Sequence, residues 1–307
     1  MTTNQSKVFE RDGYQLKVEQ HGKGPKLLII GSVDYYKRVI PTRLHEHFTC
    51  LYLDHRGFAQ TVNDKQNNTI TLDIISKDIE AICDYFNIRK ASILGHSGHA
   101  YMALHFASLT DIQIDKVMVV GAPPNLSEAM KAKQFLYWEN NASNERKHLL
   151  KQSLGKLEHD INREPHRKFA HLCHRLAPMR WADPAFNELP LWEQITTNTT
   201  VLDSLWGDAF GKVNLATLPN ANHLDVTVVI GELDFSIAPL DTWLPLKETF
   251  GSLELVALKG VSHTPMFETP KEFVELMCHH LLGYTNDLSN RHSKIRRLQF
   301  ASTKKAT

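Results

Sequence analysis

A doubly wound, mostly parallel α/β sheet interrupted by a helical insertion is the architecture this sequence predicts, and three observations predict it. Short apolar segments alternate with helical patterns over residues 1–126 and again over residues 225–290. A strand-like run, Ala91-Ser-Ile-Leu94, turns at Gly95-His-Ser-Gly98 straight into a helical pattern. From Pro123 to Asp225, roughly 100 residues, strand signals stop and Lys, Glu, His, Trp and Leu predominate. That stretch is too long for a structureless loop in a compact domain, so residues 127–224 are expected to fold as a helical cap.

In chain order, strands are expected over residues 7–11, 14–20, 27–30 and 50–53. Residues 72–88 place Ile75, Ile79, Ile82, Cys83 and Phe86 at helical spacing, the pattern of a helix lying on a sheet. After the turn at Ser97 and its helix, Lys116-Val-Met-Val-Val-Gly121 reads as a further buried strand. Asp225-Val-Thr-Val-Val-Ile-Gly231 and residues 253–258 supply two more. Residues 291–307 carry Arg291, Lys294, Arg296, Arg297, Lys304 and Lys305 and read as a basic, flexible tail.

Composition narrows the function classes. With 307 residues, 42% of them apolar and 22% charged, the chain can bury a large core. A formal charge of +1 supplies no field for gathering nucleic acid or an anionic membrane. No apolar run reaches the roughly 18 to 20 residues that span a bilayer, and the N-terminus lacks a signal-peptide core. Cys50, Cys83, Cys173 and Cys278 are scattered through apolar contexts, the usage of reduced core thiols. The expectation is a cytoplasmic enzyme, monomer or homodimer, acting on a small molecule without nucleic acid or membrane.

Ser97 is the most informative residue. A tight strand-to-helix turn lifts a serine hydroxyl clear of the backbone, and the N–H of Gly98 at the helix start can stabilise an oxyanion. Asp234 follows the strand at 225–231, and His263 follows the strand at 253–258. Serine is a weak nucleophile until an imidazole takes its proton, and a carboxylate must hold that imidazole in the right tautomer. Ser97, Asp234 and His263 therefore form the expected triad.

These segments together resemble the α/β-hydrolase superfamily over most of the chain. Asp54-His-Arg-Gly-Phe-Ala-Gln-Thr61 is similar to its Asp-x-Arg-Gly-x-Gly-x-Ser turn, and Gly231-Glu-Leu-Asp234 and Ser262-His-Thr-Pro-Met-Phe-Glu-Thr-Pro270 to its acid and histidine loops. Ala177-Pro-Met-Arg-Trp-Ala-Asp-Pro-Ala-Phe186 and the Trp192 and Trp206 segments resemble the cap of proline-iminopeptidase-like hydrolases. Two positions depart from the pattern. The elbow is usually Gly-x-Ser-x-Gly, but His99 stands in the last place, either as a tolerated bulky residue or as a second imidazole lining the pocket. The loop after the first core strand is usually His-Gly-x-Pro-Gly, but reads Gly31-Ser-Val-Asp. Matching Gly31-Ser32 to His-Gly puts the second oxyanion N–H on Val33, and a slip of one residue puts it on Ser32.

The expected activity is hydrolysis of a carboxylic ester or lactone through an acyl-enzyme on Ser97, with macrolide-type macrolactones among the candidate substrates. Of Trp138, Trp181, Trp192 and Trp206, about half are expected in the cap core, with Trp181 and Trp192 taken as pocket walls beside His99. A proline iminopeptidase is the alternative, and it needs carboxylates from among the acidic residues of the insertion aimed at a cationic imino group. A non-catalytic ligand-binding protein is the lesser alternative. No cofactor is expected. His45, His47, His166, His171, His174, His279 and His280 make no zinc-type spacing, so no metal is expected either.

Overall fold

The structure is a computed structural model that describes residues 5–62, 70–284 and 295–297. Its strands are β1 (Gln5–Arg11), β2 (Tyr14–Gly22), β3 (Lys26–Gly31), β4 (Thr49–Asp54), β5 (Gln60–Thr61), β6 (Lys90–His96), β7 (Gln113–Val120), β8 (Asp225–Gly231), β9 (Ser252–Leu258) and β10 (Ile295–Arg297). They form one sheet in the order β1-β2-β4-β3-β6-β7-β8-β9-β10, with β5 paired to β2. From β4 to β9 every pairing is parallel, and the antiparallel pairings lie towards the edges.

Period-two alternation explains why both faces are covered. On β3, Leu28 and Ile30 face one core while Leu27 and Ile29 face the other, and β4 divides Leu51 and Leu53 from Cys50 and Tyr52 in the same way. Helices α2 (Leu72–Tyr85) and α3 (His99–Leu109) pack on the first face through Ile75, Ile79, Ile82 and Tyr101. On the second face lie α1 (Val33–Val39) and, late in the chain, a helix over Pro270–Leu282, through Tyr36, Val39, Phe273 and Met277. All four cysteines are buried free thiols, and burial pushes Cys83 and Cys173 up to about 12.

The chain reverses direction across the sheet between β3 and β6, so the loops after these two strands open the crevice in which ligands of open α/β sheets bind. Between β7 and β8, among the described residues, there is no strand. The segment holds α4 (Glu128–Asn141), α5 (Asn144–Leu154), α6 (Leu157–Arg163), α7 (Lys168–Arg175), α8 (Ala177–Arg180) and α9 (Thr199–Ser204), joined by short 3-10 turns. Two more helices, α10 (Pro265–Glu268) and α11 (Pro270–Leu282), follow the His263 loop.

One expectation is corrected here. The basic tail is not free throughout, because residues 295–297 form β10, antiparallel to β9 with Ile295 opposite Leu258. The edge of β9 offers unpaired backbone groups, and three residues suffice to meet some of them. A strand that short leaves no periodic signal. Arg291, Lys294, Lys304 and Lys305 lie outside the described residues.

Candidate active site

Ser97 sits between β6 and α3 with φ +57°, in the left-handed region that non-glycine residues seldom adopt. Its N–H donates to the Val120 carbonyl at 2.8 Å, tying the turn to the end of β7. The elbow glycines are required for space. A Cβ on Gly95 would lie 2.6 Å from Ala100 Cα, where α3 crosses β6. One on Gly98 would meet Phe210 at 2.6 Å and Trp206 at 2.9 Å, because two rings from the insertion close directly over the turn.

Asp234 and His263 are both buried and joined, Oδ2 to Nδ1, at 2.7 Å. Ser236, which the sequence reading missed, donates from its hydroxyl (2.6 Å) and its N–H (3.1 Å) to Asp234 Oδ1, so the second oxygen is left for the imidazole. His263 Nε2 is buried without a hydrogen-bond partner among the described residues, and it faces the cavity that Ser97 also lines. The two loops are further held by α8, whose Met179 carbonyl accepts from Phe235 N–H (2.9 Å) and whose Arg180 carbonyl accepts from His263 N–H (3.0 Å).

The structure withdraws Val33 as an oxyanion donor. Its N–H is bonded to Asp54 Oδ1 at 2.7 Å, a carboxyl that burial pushes up to about 8, and its side chain is in the core. Ser32 lines the cavity instead, and its N–H has no partner among the described residues. Its hydroxyl is engaged in capping α1. Gly98 N–H is likewise uncommitted among the described residues. A motif alignment could not separate Val33 from Ser32, since the choice depends on where α1 begins.

The two departures at Gly31 and His99 prove to be one feature. Gly31 has φ +150°, and a Cβ there would lie 2.2 Å from the Tyr36 ring and 3.0 Å from the His99 ring. The imidazole missing from the loop after β3 is thus replaced by one rising from α3 into the space the glycine leaves. His99 is buried and also lines the cavity, so the two readings of it are both realised.

His99 belongs to a buried chain of hydrogen bonds whose direction the first link sets. Gly57 N–H donates to His55 Nδ1 (3.0 Å), so the neutral His55 carries its proton on Nε2 and donates to His99 Nε2 (3.1 Å). His99 Nδ1–H then donates to Tyr36 Oη (2.8 Å), whose O–H donates to His96 Nδ1 (3.2 Å). His96 Nε2–H ends the chain on the His263 carbonyl at 2.8 Å. Burial holds His55 and His96 well below the usual imidazole value and His99 at about 3, so all three rings are neutral near pH 7. His55 and His96 lie inside the quoted motifs, yet nothing in a motif distinguishes a buried imidazole from an exposed one.

This chain has a measurable consequence. The unfolded protein takes up protons on these histidines below about pH 6.5 while the native state does not, so stability is lost as pH falls from 6.5 towards the folded values. Each histidine contributes a slope of up to about 1.4 kcal/mol per pH unit. Urea unfolding between pH 6 and 4.5 should show a His99→Gln slope shallower by about one proton than wild type. Equal slopes would mean that His99 titrates normally in the native protein.

A cavity of about 320 Å³ lies over Ser97, with Tyr35, Phe169, Trp192, Trp206, Arg180 and Ile237 among its walls. Trp192 is where the sequence reading put it, stacked on Tyr35 at 4.4 Å. Trp181 is not a wall. Its ring is 2% exposed and packs on Phe186 and Phe267, and its indole N–H donates to the fully buried Glu188. Trp138 is likewise buried, against Phe235, and Trp206 takes the place at the cavity. The sequence identified which residues were aromatic, but not which helix face the α8 segment would turn inward. Of the insertion's eleven acidic residues only Asp203 lines the cavity, and Lys168 holds it at 2.7 Å.

Residues 27–270 match the family model for the alpha/beta hydrolase fold. The chain is an α/β hydrolase. It is 30% identical over 266 residues to the AB hydrolase superfamily protein YclE of Bacillus subtilis (strain 168), a match covering 87% of this chain and 95% of that one. Among solved structures, this hydrolase is similar to serine hydrolase CCSP0084 from the polyaromatic hydrocarbon-degrading bacterium Cycloclasticus zankles. That likeness has a TM-score of 0.64 and 15% identity, covering 93% of this chain and 100% of that one. It is also similar to Est816, described as an N-acyl homoserine lactone degrading enzyme, with a TM-score of 0.59 and 17% identity over 89% and 100% of the two chains. At these identities the solved structures show the fold. Among the described residues no helix is long and apolar enough to cross a membrane.

Proposed function

We propose that this α/β hydrolase cleaves a small carboxylic ester or lactone through an acyl-enzyme on Ser97. The observation that carries the reading is the Asp234–His263 pair at 2.7 Å, with His263 Nε2 unengaged and facing the same cavity as a serine held at φ +57°. Ser97 Oγ attacks the scissile carbonyl carbon as His263 Nε2 takes its proton, and Asp234 stabilises the imidazolium. The N–H groups of Gly98 and Ser32 donate to the tetrahedral oxyanion, each such donor being worth about 3 kcal/mol. The C–O bond to the leaving group breaks as His263 returns the proton to the departing oxygen. Water, deprotonated by His263, then attacks the acyl carbon, and Ser97 leaves with that proton.

The cavity supports the ester reading over the peptidase one. A prolyl peptidase must neutralise a protonated imino group, whereas the walls here bring forward Arg180 and no unpaired carboxylate among the described residues. About 320 Å³ is near the lower end of the ~300–1,000 Å³ range of ligand pockets, a size suited to a compact acyl group rather than a macrolactone. Assayed side by side, p-nitrophenyl acetate, butyrate and octanoate, γ- and δ-lactones, tylosin and prolyl-β-naphthylamide should give turnover of short esters or small lactones. Strong cleavage of the prolyl arylamide with none of any ester or lactone would defeat the proposal.

A further inference from the structure

Among the described residues, Arg180 is the sole lysine or arginine lining the cavity. Its guanidinium donates no hydrogen bond among the described residues, and its Nε is buried. The nearest carboxylate, Glu188, lies 3.9 Å from that Nε, too far for a hydrogen bond. Both Glu188 oxygens are already occupied, one by the Trp181 indole N–H and the other by that of Trp192 at 2.8 Å. Glu188 therefore offsets the charge of Arg180 inside the protein and leaves its donors idle. Idle donors of a cation in an apolar cavity are unfavourable unless a ligand meets them.

The backbone at this position is anchored. Arg146 on α5 donates to the carbonyls of Pro178, Trp181 and Ala182, at 2.7, 2.8 and 2.7 Å, fixing the end of α8. The Arg180 carbonyl itself accepts from His263 N–H at 3.0 Å, so the two residues share a backbone contact, and both line the cavity. Tyr35, a further wall residue, has the Arg180 guanidinium and Thr264 as polar neighbours.

We propose that Arg180 is an anion subsite, and that the substrate is an ester or lactone bearing a carboxylate a few bonds from its scissile carbonyl. The inference rests on the hydrolytic reading of Ser97. A carboxylate fits better than a phosphate. The planar guanidinium fork matches two carboxylate oxygens, and Glu188 nearby opposes a second negative charge. The apolar remainder of the cavity, including Phe169, Leu172, Trp192 and Trp206, would hold the uncharged body of the molecule.

The test separates binding from hydrolysis. The Ser97→Ala protein would be titrated with the monoanilides of succinic, glutaric and adipic acids and with their methyl esters, read by tryptophan fluorescence, since Trp192 and Trp206 line the cavity. At the favoured length the acid should bind on the order of 10- to 100-fold tighter than its ester, the range for hydrogen bonds to a charged group. Adding Arg180→Gln should erase that preference, and Arg180→Lys should keep part of it. Wild-type enzyme should favour the matching mono-p-nitrophenyl diacid over its methyl ester by a similar ratio in kcat/KM. Equal or weaker binding of the acid at every length overturns the proposal, and this comparison stands even where Arg180→Gln fails to fold. Preferential binding of the acid with no hydrolysis of any ester overturns the esterase reading and leaves the anion subsite standing.

Discussion

Ser97→Ala should lower kcat on p-nitrophenyl butyrate by on the order of a millionfold, the usual loss when a triad nucleophile is removed. The fold should hardly notice. Ser97 is half-buried, and its hydroxyl makes no hydrogen bond among the described residues, so its removal leaves no stranded partner. Alanine also meets the same backbone demand at φ +57° as serine does. Surface-like substitutions of this kind stay within about 0.5 kcal/mol, so the melting curve should overlay that of wild type. A folded Ser97→Ala protein that keeps more than a trace of burst-free esterase activity would show that Ser97 is not the nucleophile.

Asp234→Asn should lower kcat by about 10⁴-fold with the site geometry retained. Ser236 donates twice to Asp234 Oδ1, which would fix the asparagine with its carbonyl oxygen there and turn its amide towards His263. The amide N–H then donates to Nδ1 and forces the imidazole proton onto Nε2, where His263 can no longer accept from Ser97. The variant is isosteric and neutral at a buried position, so the loss should appear in kcat more than in KM or in the unfolding midpoint. A decrease of less than tenfold would mean that the 2.7 Å contact is structural only.

The His263 loop is held by an unusual support. The His55–His99–Tyr36–His96 chain delivers its last hydrogen bond to the His263 carbonyl, while α8 takes the His263 N–H. The His263 loop is thereby clamped on both sides of one residue, from the sheet and from the insertion. Neutral imidazoles serve this purpose because each can accept at one nitrogen and donate at the other, which keeps a buried chain satisfied without a charge.

The sequence by itself determined the alternation of strands and helices, the place of the insertion and the Ser-Asp-His order, because these are written in local periodicity and in turn chemistry between neighbours. Residues 116–120 were legible as part of β7, and its first three residues, Gln113 to Asp115, were not, since a single Ile114 between two polar residues is too weak an apolar signal. Tertiary structure decided everything that depends on two distant segments meeting. Gly31 and His99 look like separate defects along the chain, and only their contact across β3 and α3 shows that one makes room for the other. Val33 lost its N–H to Asp54, twenty-one residues on, and Trp206 took the cavity place expected of Trp181, whose ring packs on Phe186 and Phe267 instead. Arg180 lies within the quoted Ala177–Phe186 segment, where nothing along the chain marks it out. Its meaning comes from a low-dielectric cavity assembled by β3, β6 and the insertion, where an unmet guanidinium donor is conspicuous as it would not be in water.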